Sequence, residues 1–258
     1  SESIGLADVA FSIPVNHNTI FSINSLSKIF AGTAVMQLVE SGKIKLSNPI
    51  SDYLDDLPTR WKKITIRQLL SHTSGAPDIE DTKNGGLIGG KGENFAWKKV
   101  KKKSIKFTPG ERFDYIQTNY VLILKLIEKV SGIGYLQFLR EGQFEKIGIS
   151  KDIIFGSSFD VAKNKSTTYS YYKKDKLTRQ YIKGDKLYEI SEDFSPIVWA
   201  DAGAFSTLNA LEKWVTALKE GKFISNKSIK EMWTAVPLNN GNYGGFGGFL
   251  KGYGYGWP

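Results

Sequence analysis

The sequence predicts a mixed fold of helices and strands, an α/β fold of the α+β type. Residues 4–23 alternate apolar and polar positions and contain many β-branched residues, which is typical of strands. Residues 25–40 and 118–131 are apolar runs of helical length, each followed closely by a glycine, which is typical of buried helices. Residues 243–258 interleave glycine with aromatic residues, which favours a strand or a strand-like loop. Strand-like ends around a helical middle therefore predict helices packed on a sheet.

The first third of the chain supplies strands and then a central helix. Pro14 and the turn at 16–18 interrupt the alternation, so two short strands are expected. The helix predicted from Ser25 to Glu40 is apolar nearly all round, so it should be buried. Shorter helical turns are expected within 49–58 and 65–71.

The remaining elements follow from local signals. Residues 84–103 are rich in glycine and lysine and are predicted to form a loop. Thr118 should cap a buried helix that ends at Gly132, and another helix begins within 135–140. Tyrosine and lysine alternate partially over 166–190, which predicts exposed hairpins. Thr207 should cap a helix that ends at Gly221.

Composition excludes several classes of function. The 258 residues are 41% apolar, enough for a sizeable core, and no apolar run is long enough to span a membrane. There is no cysteine, so a thiol nucleophile, a disulfide and a cysteine-bound metal are excluded. Two histidines leave little material for a zinc site, so we expect neither metal nor cofactor. The formal charge of +9 comes largely from lysine clusters, which usually form a solvated face.

One lysine stands out by its position. Between Asp8 and Glu40 the only lysine, arginine or carboxylate is Lys28, and it lies in the most apolar predicted helix. Burying an ammonium group without a partner is costly, so the site must neutralise this amine or surround it with acceptors. Ser25 lies three residues earlier, and side chains at this spacing share one face of a helix, about 5–6 Å apart at Cβ.

This pair suits nucleophilic catalysis. A lysine beside a serine hydroxyl can take its proton. At the start of a helix, unpaired N–H groups and the helix dipole favour the negative oxygen that forms when the serine attacks a carbonyl. Ser-x-x-Lys by itself also fits an ordinary helix start with an extended lysine. The apolar helix and the preceding segment Phe21-Ser22-Ile23-Asn24 favour the catalytic interpretation.

Further motifs occur in the order found in class C β-lactamases, D-alanyl-D-alanine carboxypeptidases and related esterases, the family that this chain resembles. The similar segments run over nearly the whole chain and are Gly5-Leu6-Ala7-Asp8, Thr19-Ile20-Phe21, Ser25-Leu26-Ser27-Lys28, Leu69-Leu70-Ser71-His72-Thr73-Ser74-Gly75, Phe107-Thr108-Pro109-Gly110, Phe113-Asp114-Tyr115, Gly203-Ala204-Phe205-Ser206-Thr207 and Tyr253-Gly254-Tyr255-Gly256-Trp257.

The resemblance implies a fold and a set of site residues. It implies a two-lobed β-lactamase-like domain over 1–258, with an antiparallel sheet flanked by helices (1–44 and 203–258) beside a mainly helical lobe (45–202). Tyr115 would relay a proton between Ser25, Lys28 and the leaving group. Gln117 stands where the family's Tyr-x-Asn motif has asparagine, and it would hold Lys28 and the acyl side chain of the substrate with an amide that is longer by one methylene.

The family's third motif, a Lys or His followed two residues later by Gly on an edge strand, should come after Trp257 and is not in this sequence. We therefore expect a domain that is incomplete at both ends, with a second chain or a further segment completing the sheet. The resemblance also implies a bacterial protein that works outside the cytoplasm, in the periplasm or secreted.

The predicted activity is acyl transfer from D-amino-acid peptides, β-lactams or short esters through an acyl-enzyme on Ser25, with a small molecule or a peptidoglycan peptide as substrate. One alternative is a catalytically weak penicillin-binding or sensing module of the same fold, which the Gln117 departure favours. A nucleic-acid-binding protein is a less favoured alternative that the basic charge suggests. A Ser-His pair using His72 is also disfavoured, because the resemblance places His72 in a structural turn.

Overall fold

The fold combines short antiparallel strands with helices, as predicted. The computed structural model describes residues 2–81, 86–175, 178, 180–248 and 250–258. Its strands are β1 (Leu6–Asp8), β2 (Ile13–Pro14), β3 (Phe21–Ser22), β4 (Ile153–Phe155), β5 (Tyr169–Lys174), β6 (Tyr181–Glu189) and β7 (Ala204–Ser206). Its α-helices are α1 (Lys28–Glu40), α2 (Ile66–Leu70), α3 (Glu93–Lys102), α4 (Thr118–Ser131), α5 (Tyr135–Leu139), α6 (Leu208–Lys219) and α7 (Asn226–Trp233).

A three-stranded antiparallel sheet lies next to the start of α1. Its order is β3-β7-β4, so β7 is central, and Phe205 pairs with Ser22 on one side and Ile154 on the other. Strand β4 comes from the segment expected to be mainly helical, so the sheet draws on both parts of the proposed division at 44/45 and 202/203. That division stays a prediction.

Two further strand pairs lie outside this sheet. Strands β1 and β2 pair with each other, and β5 pairs with β6 as an antiparallel hairpin in the region where exposed hairpins were predicted.

The core surrounds α1. Ten of its residues are buried, and the helix packs against α4 and α7. Phe30 meets Phe144 and Trp214 edge to face, with ring centroids 5.1 and 4.9 Å apart. Such contacts add to the hydrophobic burial that holds a helix in place. Below them, Gln143 donates to the Phe30 carbonyl and accepts from the indole N–H of Trp214, so its buried amide is satisfied.

The terminal segment of the described chain packs closely on α1 because glycines leave room for it. A Cβ on Gly32 would lie 2.4 Å from the Tyr255 carbonyl oxygen, and one on Gly256 would lie 2.7 Å from the Lys28 carbonyl oxygen. Gly256 also has φ +84°, a conformation that other residues rarely adopt. Between 243 and 258 the described residues make isolated bridges, not a regular strand, so they match the strand-like loop of the prediction.

Two local predictions were wrong. Within the predicted loop at 84–103, Glu93–Lys102 forms α3, whose Ala96 and Val100 are buried at a four-residue spacing; residues 84 and 85 lie outside the described residues. Thr118 is the first residue of α4 and not its cap, because its hydroxyl donates to the Pro77 carbonyl at 2.7 Å. The cap predicted at Thr207 is confirmed, since its hydroxyl accepts from the Ala210 N–H at 3.1 Å.

None of the helices in the described part of the chain has the length and apolar character needed to cross a bilayer.

Candidate active site

Ser25 lies at the junction between the sheet and α1. A short 3-10 turn, Asn24–Ser27, follows β3 and leads directly into α1. Asn24 has φ +45°, a left-handed conformation that asparagine tolerates better than most residues. Ser25 is exposed, whereas Lys28 is only 1% exposed. The turn therefore presents a serine hydroxyl to solvent at the end of a buried helix.

The Lys28 amine is surrounded by acceptors, one of the two outcomes that its burial requires. Nζ donates to Ser25 Oγ at 3.2 Å and to the Asp201 carbonyl oxygen at 3.1 Å. It also forms an ion pair with the Asp201 carboxylate. The faces of two tyrosine rings complete its surroundings, with centroids 4.6 Å (Tyr115) and 5.3 Å (Tyr120) from Nζ.

Asp201 is the site residue that the sequence analysis missed. Its side chain is 3% exposed, and burial raises the pKa of its carboxyl while the Lys28 ammonium opposes that rise. It precedes the Gly203–Thr207 landmark and stands between Ala200 and Ala202, both buried. The sequence did offer one signal for Asp201, a lone carboxylate between two alanines. Its partner Lys28, however, lies 173 residues away in sequence.

Tyr115 is brought to the site by a buried histidine. The His72 ring lies 4.2 Å from the Tyr115 ring, centroid to centroid. His72 is fully buried, and its Nδ1 accepts from the Ile116 N–H at 3.3 Å and lies 3.1 Å from the Asn119 amide nitrogen. Burial, and secondarily the Lys28 charge, hold the pKa of His72 well below its usual value. His72 is therefore a neutral support for Tyr115, consistent with the structural role implied for it.

Gln117 lies beside the site without the contact expected of it. Its backbone N–H donates to Asp78 Oδ1 at 3.1 Å. Its side-chain Oε1 is buried and accepts no hydrogen bond in the described part of the chain, so it does not hold Lys28 there. The extra methylene relative to asparagine is the physical reason that we assign to this difference.

Two further carboxylates lie near this group. Burial raises the pKa of Asp78, and burial together with the Asp201 and Asp78 charges raises the pKa of Glu80 to about 7. Both interact electrostatically with the site: Glu80 with Lys28 and Asp201, and Asp78 with Asp201. No three histidine or carboxylate side chains of the described residues are arranged to hold a metal ion.

The arrangement brings Ser25, Lys28 and Tyr115 together and adds Asp201. An exposed hydroxyl next to a buried amine that is itself paired with a carboxylate can pass its proton inward when it attacks a carbonyl carbon. Such an arrangement can support nucleophilic catalysis by serine.

Comparisons with known proteins find similar chains over nearly the whole of this sequence. The Beta-lactamase family model matches residues 1–258. A penicillin-binding protein of Bacillus subtilis (strain 168) is 27% identical over 99% of this chain and 55% of its own length. PbpX of the same strain, which also carries a penicillin-binding protein name, is 30% identical over 95% of this chain and 57% of its own length. The chain thus spans a little over half the length of these curated relatives.

Among solved structures, the D-amino acid amidase from Ochrobactrum anthropi SV3 complexed with L-phenylalanine amide is similar, with a TM-score of 0.76 and 25% identity over 98% of this chain and 69% of that one. The family match and this neighbour confirm the β-lactamase-like fold that the resemblance implied, and they support a serine hydrolase of the amide or peptide class.

Proposed function

The chain belongs to the beta-lactamase family, and we propose that it is a serine hydrolase that forms an acyl-enzyme on Ser25. The observation that carries this proposal is the hydrogen bond of 3.2 Å between the exposed Ser25 hydroxyl and the buried Lys28 amine. The substrates that we propose are D-amino-acid peptides or amides, β-lactams and short esters. The proposed location is outside the cytoplasm of a bacterium, in keeping with relatives that carry penicillin-binding protein names.

The first proposed step prepares the base. Lys28 transfers a proton to Asp201, which converts the buried ion pair into a neutral amine and a neutral acid. A buried environment favours such a neutral pair more than water does, and burial already raises the pKa of Asp201. The Lys28 amine then takes the Ser25 proton while Oγ forms a bond to the substrate carbonyl carbon.

The second step releases the leaving group. The tetrahedral intermediate collapses, the bond from carbon to the leaving nitrogen or oxygen breaks, and Tyr115 passes the proton from Lys28 to that atom. Water then attacks the carbonyl carbon of the acyl-enzyme and gives a proton to the Lys28 amine, and that proton passes to Ser25 Oγ as the ester bond breaks. Tyr115 is suited to this relay because its ring contacts Lys28 Nζ and packs against the His72 ring.

Labelling of the nucleophile tests the proposal. The protein is exposed to a fluorophosphonate probe and, separately, to a penicillin, and its intact mass and labelled peptides are measured. We expect one adduct, on Ser25, that disappears in Ser25→Ala. Ser41→Ala is the matched control, because Ser41 is an exposed serine at the other end of the same helix. An adduct that persists in Ser25→Ala would refute the proposed nucleophile.

A second candidate function is a penicillin-recognising module that acylates but turns over slowly. The unpaired Gln117 Oε1 favours it, because the amide expected to hold the acyl group is not engaged with Lys28. Stoichiometric penicillin adducts that persist for hours, with no release of hydrolysed product, would favour this module over a hydrolase.

A further inference from the structure

Phe246 is an exposed aromatic residue that lies against the proposed active site. It is 53% exposed, yet its ring contacts the Tyr115 ring, with the centroids 5.0 Å apart, and the Phe113 ring at 5.3 Å. Among the described residues, no other exposed aromatic side chain makes a ring contact with Tyr115. One part of an apolar ring is therefore packed on a residue of the proposed mechanism, and the other part faces water.

The loop that carries Phe246 depends on glycines on both sides of this residue. A Cβ on Gly244 would lie 2.3 Å from Cβ of Phe113, so only glycine allows the chain to pass this close. After Phe246, Gly247 has φ +77°, and its carbonyl accepts from the Leu250 N–H at 3.1 Å. The close approach and the turn together place the Phe246 ring beside Phe113.

A short series of contacts joins Phe246 to the nucleophile. Single exposed apolar residues are common on protein surfaces and do not by themselves indicate a site. Here, however, the Tyr115 ring that Phe246 contacts also lies 4.6 Å from Lys28 Nζ, and this amine donates to Ser25 Oγ at 3.2 Å. Ser25 is itself exposed. A substrate bound at Ser25 is therefore only a few side-chain contacts away from the exposed part of the Phe246 ring.

The proposed proton relay decides which end of the substrate lies at Phe246. Tyr115 has to deliver a proton to the leaving nitrogen or oxygen, and such a transfer needs hydrogen-bond distance, about 2.6–3.2 Å between heavy atoms. The leaving group must therefore approach Tyr115, whereas the acyl part becomes bonded to Ser25. Because Phe246 packs on Tyr115, its ring borders the leaving group.

We propose that Phe246 is a specificity-determining residue that contacts the leaving group of the substrate and favours apolar, above all aromatic, amines and alcohols over polar ones of similar size. The inference rests on the proposed function and deepens it. An apolar leaving group covers the exposed part of the ring, and the removal of both surfaces from water favours binding. An aromatic leaving group gains further, because two rings attract each other at centroid distances of about 4.5–7 Å.

The test uses two esters of N-acetyl-D-alanine, the benzyl ester and the polar methoxyethoxyethyl ester, which has as many non-hydrogen atoms. Phe246→Ser should lower kcat/KM for the benzyl ester at least about fivefold and leave that for the polar ester within about twofold. Phe246→Tyr, which keeps the aromatic ring, should retain both values within about twofold. Phe11→Ser is the matched control, because Phe11 is an exposed phenylalanine in the turn between β1 and β2.

A purely structural role of Phe246 gives a different result. If Phe246 only holds Tyr115 in place, Phe246→Ser lowers kcat/KM for both esters by the same factor, and this outcome overturns the contact with the leaving group. Values that are unchanged for both esters in Phe246→Ser overturn it as well.

Binding gives a readout that does not depend on turnover. We expect Ser25→Ala protein to bind N-acetyl-D-alanine benzylamide at least about fivefold more tightly than the methoxyethoxyethylamide, and the further change Phe246→Ser to remove this difference. Equal binding of the two amides by a protein whose Ser25 labels refutes only the Phe246 contact. Failure of Ser25 to label refutes the hydrolase, and the binding ratio still decides whether Phe246 contacts the ligand.

Discussion

Replacing Glu80 by glutamine should stabilise the protein at alkaline pH and leave its stability unchanged in acid. Burial, then the Asp201 and Asp78 charges, raise the pKa of Glu80 from 4.5 to about 7. The folded state therefore holds this proton more tightly than the unfolded chain does. Because each pH unit of pKa difference corresponds to about 1.36 kcal/mol, ionised Glu80 lowers the free energy of unfolding by roughly 3 kcal/mol.

Because the pKa of Glu80 is raised on folding, the pH range over which this residue changes the free energy of unfolding can be stated. Below about pH 4 the carboxyl is protonated in both states, so it makes no difference to stability. As the pH rises from 4.5 to 7, the unfolded chain loses this proton first and gains stability relative to the folded state. The loss of free energy of unfolding caused by ionised Glu80 is complete above pH 7, and it does not occur in Glu80→Gln. His72, whose pKa is lowered on folding, contributes an opposite slope below about pH 6.5, but it does so in both proteins.

Urea unfolding at pH 4, 5.5, 7 and 8.5 measures this difference. We expect Glu80→Gln to match the unmodified protein at pH 4 and to exceed it by roughly 3 kcal/mol at pH 8.5. Glu212→Gln, on the exposed side of α6, controls for the loss of one negative charge. Free energies of unfolding that run parallel for Glu80→Gln and the unmodified protein at all four pH values would refute the reasoning.

Three further substitutions test the proposed roles of the site residues. Lys28→Arg should acylate at least a hundredfold more slowly than the unmodified protein, because guanidinium stays protonated and cannot act as a base. The burst rate with a chromogenic ester measures this, and an arginine variant that keeps most of that rate would make Lys28 an electrostatic partner only. Asp201→Asn should lower the free energy of unfolding by about 3–5 kcal/mol, since it leaves the Lys28 ammonium buried without its counterion; a thermal melt within a few degrees of the unmodified protein would contradict this pairing. Gln117→Asn should maintain or raise the acylation rate by restoring the shorter amide, and a tenfold loss in stopped-flow acylation would mean that the site is adapted to glutamine.

The sequence predicted the elements that local patterns encode. The helix after Ser25 was predicted because its apolar run and the glycine after it are both local. The Thr207 cap was predicted because a cap is defined within four residues. Helix α3 was missed because the glycines before it and its own lysines outweighed one signal, the apolar Ala96 and Val100 four residues apart. The Ser25 and Lys28 pair was predictable for the same reason, since both lie on one turn.

The rest of the site depends on contacts between distant segments. Asp201, Glu80 and His72 each approach Lys28 from a different part of the chain, so no spacing in the sequence connects them to it. The resemblance brought Tyr115 into the prediction, but the support behind its ring comes from His72, 43 positions earlier. The resemblance also singled out Gln117 as a departure from the family's motif. Only the packing, which leaves its Oε1 buried and without a donor, indicated what the departure does.

Burying the ionisable groups of this site reduces the stability of the folded protein, and this cost supports their functional assignment. A buried ion pair such as Lys28 with Asp201 recovers little more than the cost of removing both charges from water, and well-packed apolar residues often replace such pairs without loss. Glu80 adds a carboxylate that is harder to ionise in the folded protein, and His72 a ring that is kept neutral. These groups all interact with Lys28, which is hydrogen-bonded to one exposed serine, while the core around the rest of α1 is predominantly apolar. Because the fold tolerates this cost at one end of a single helix, the proton-transferring role proposed for Lys28 and Asp201 explains their placement better than a structural role does.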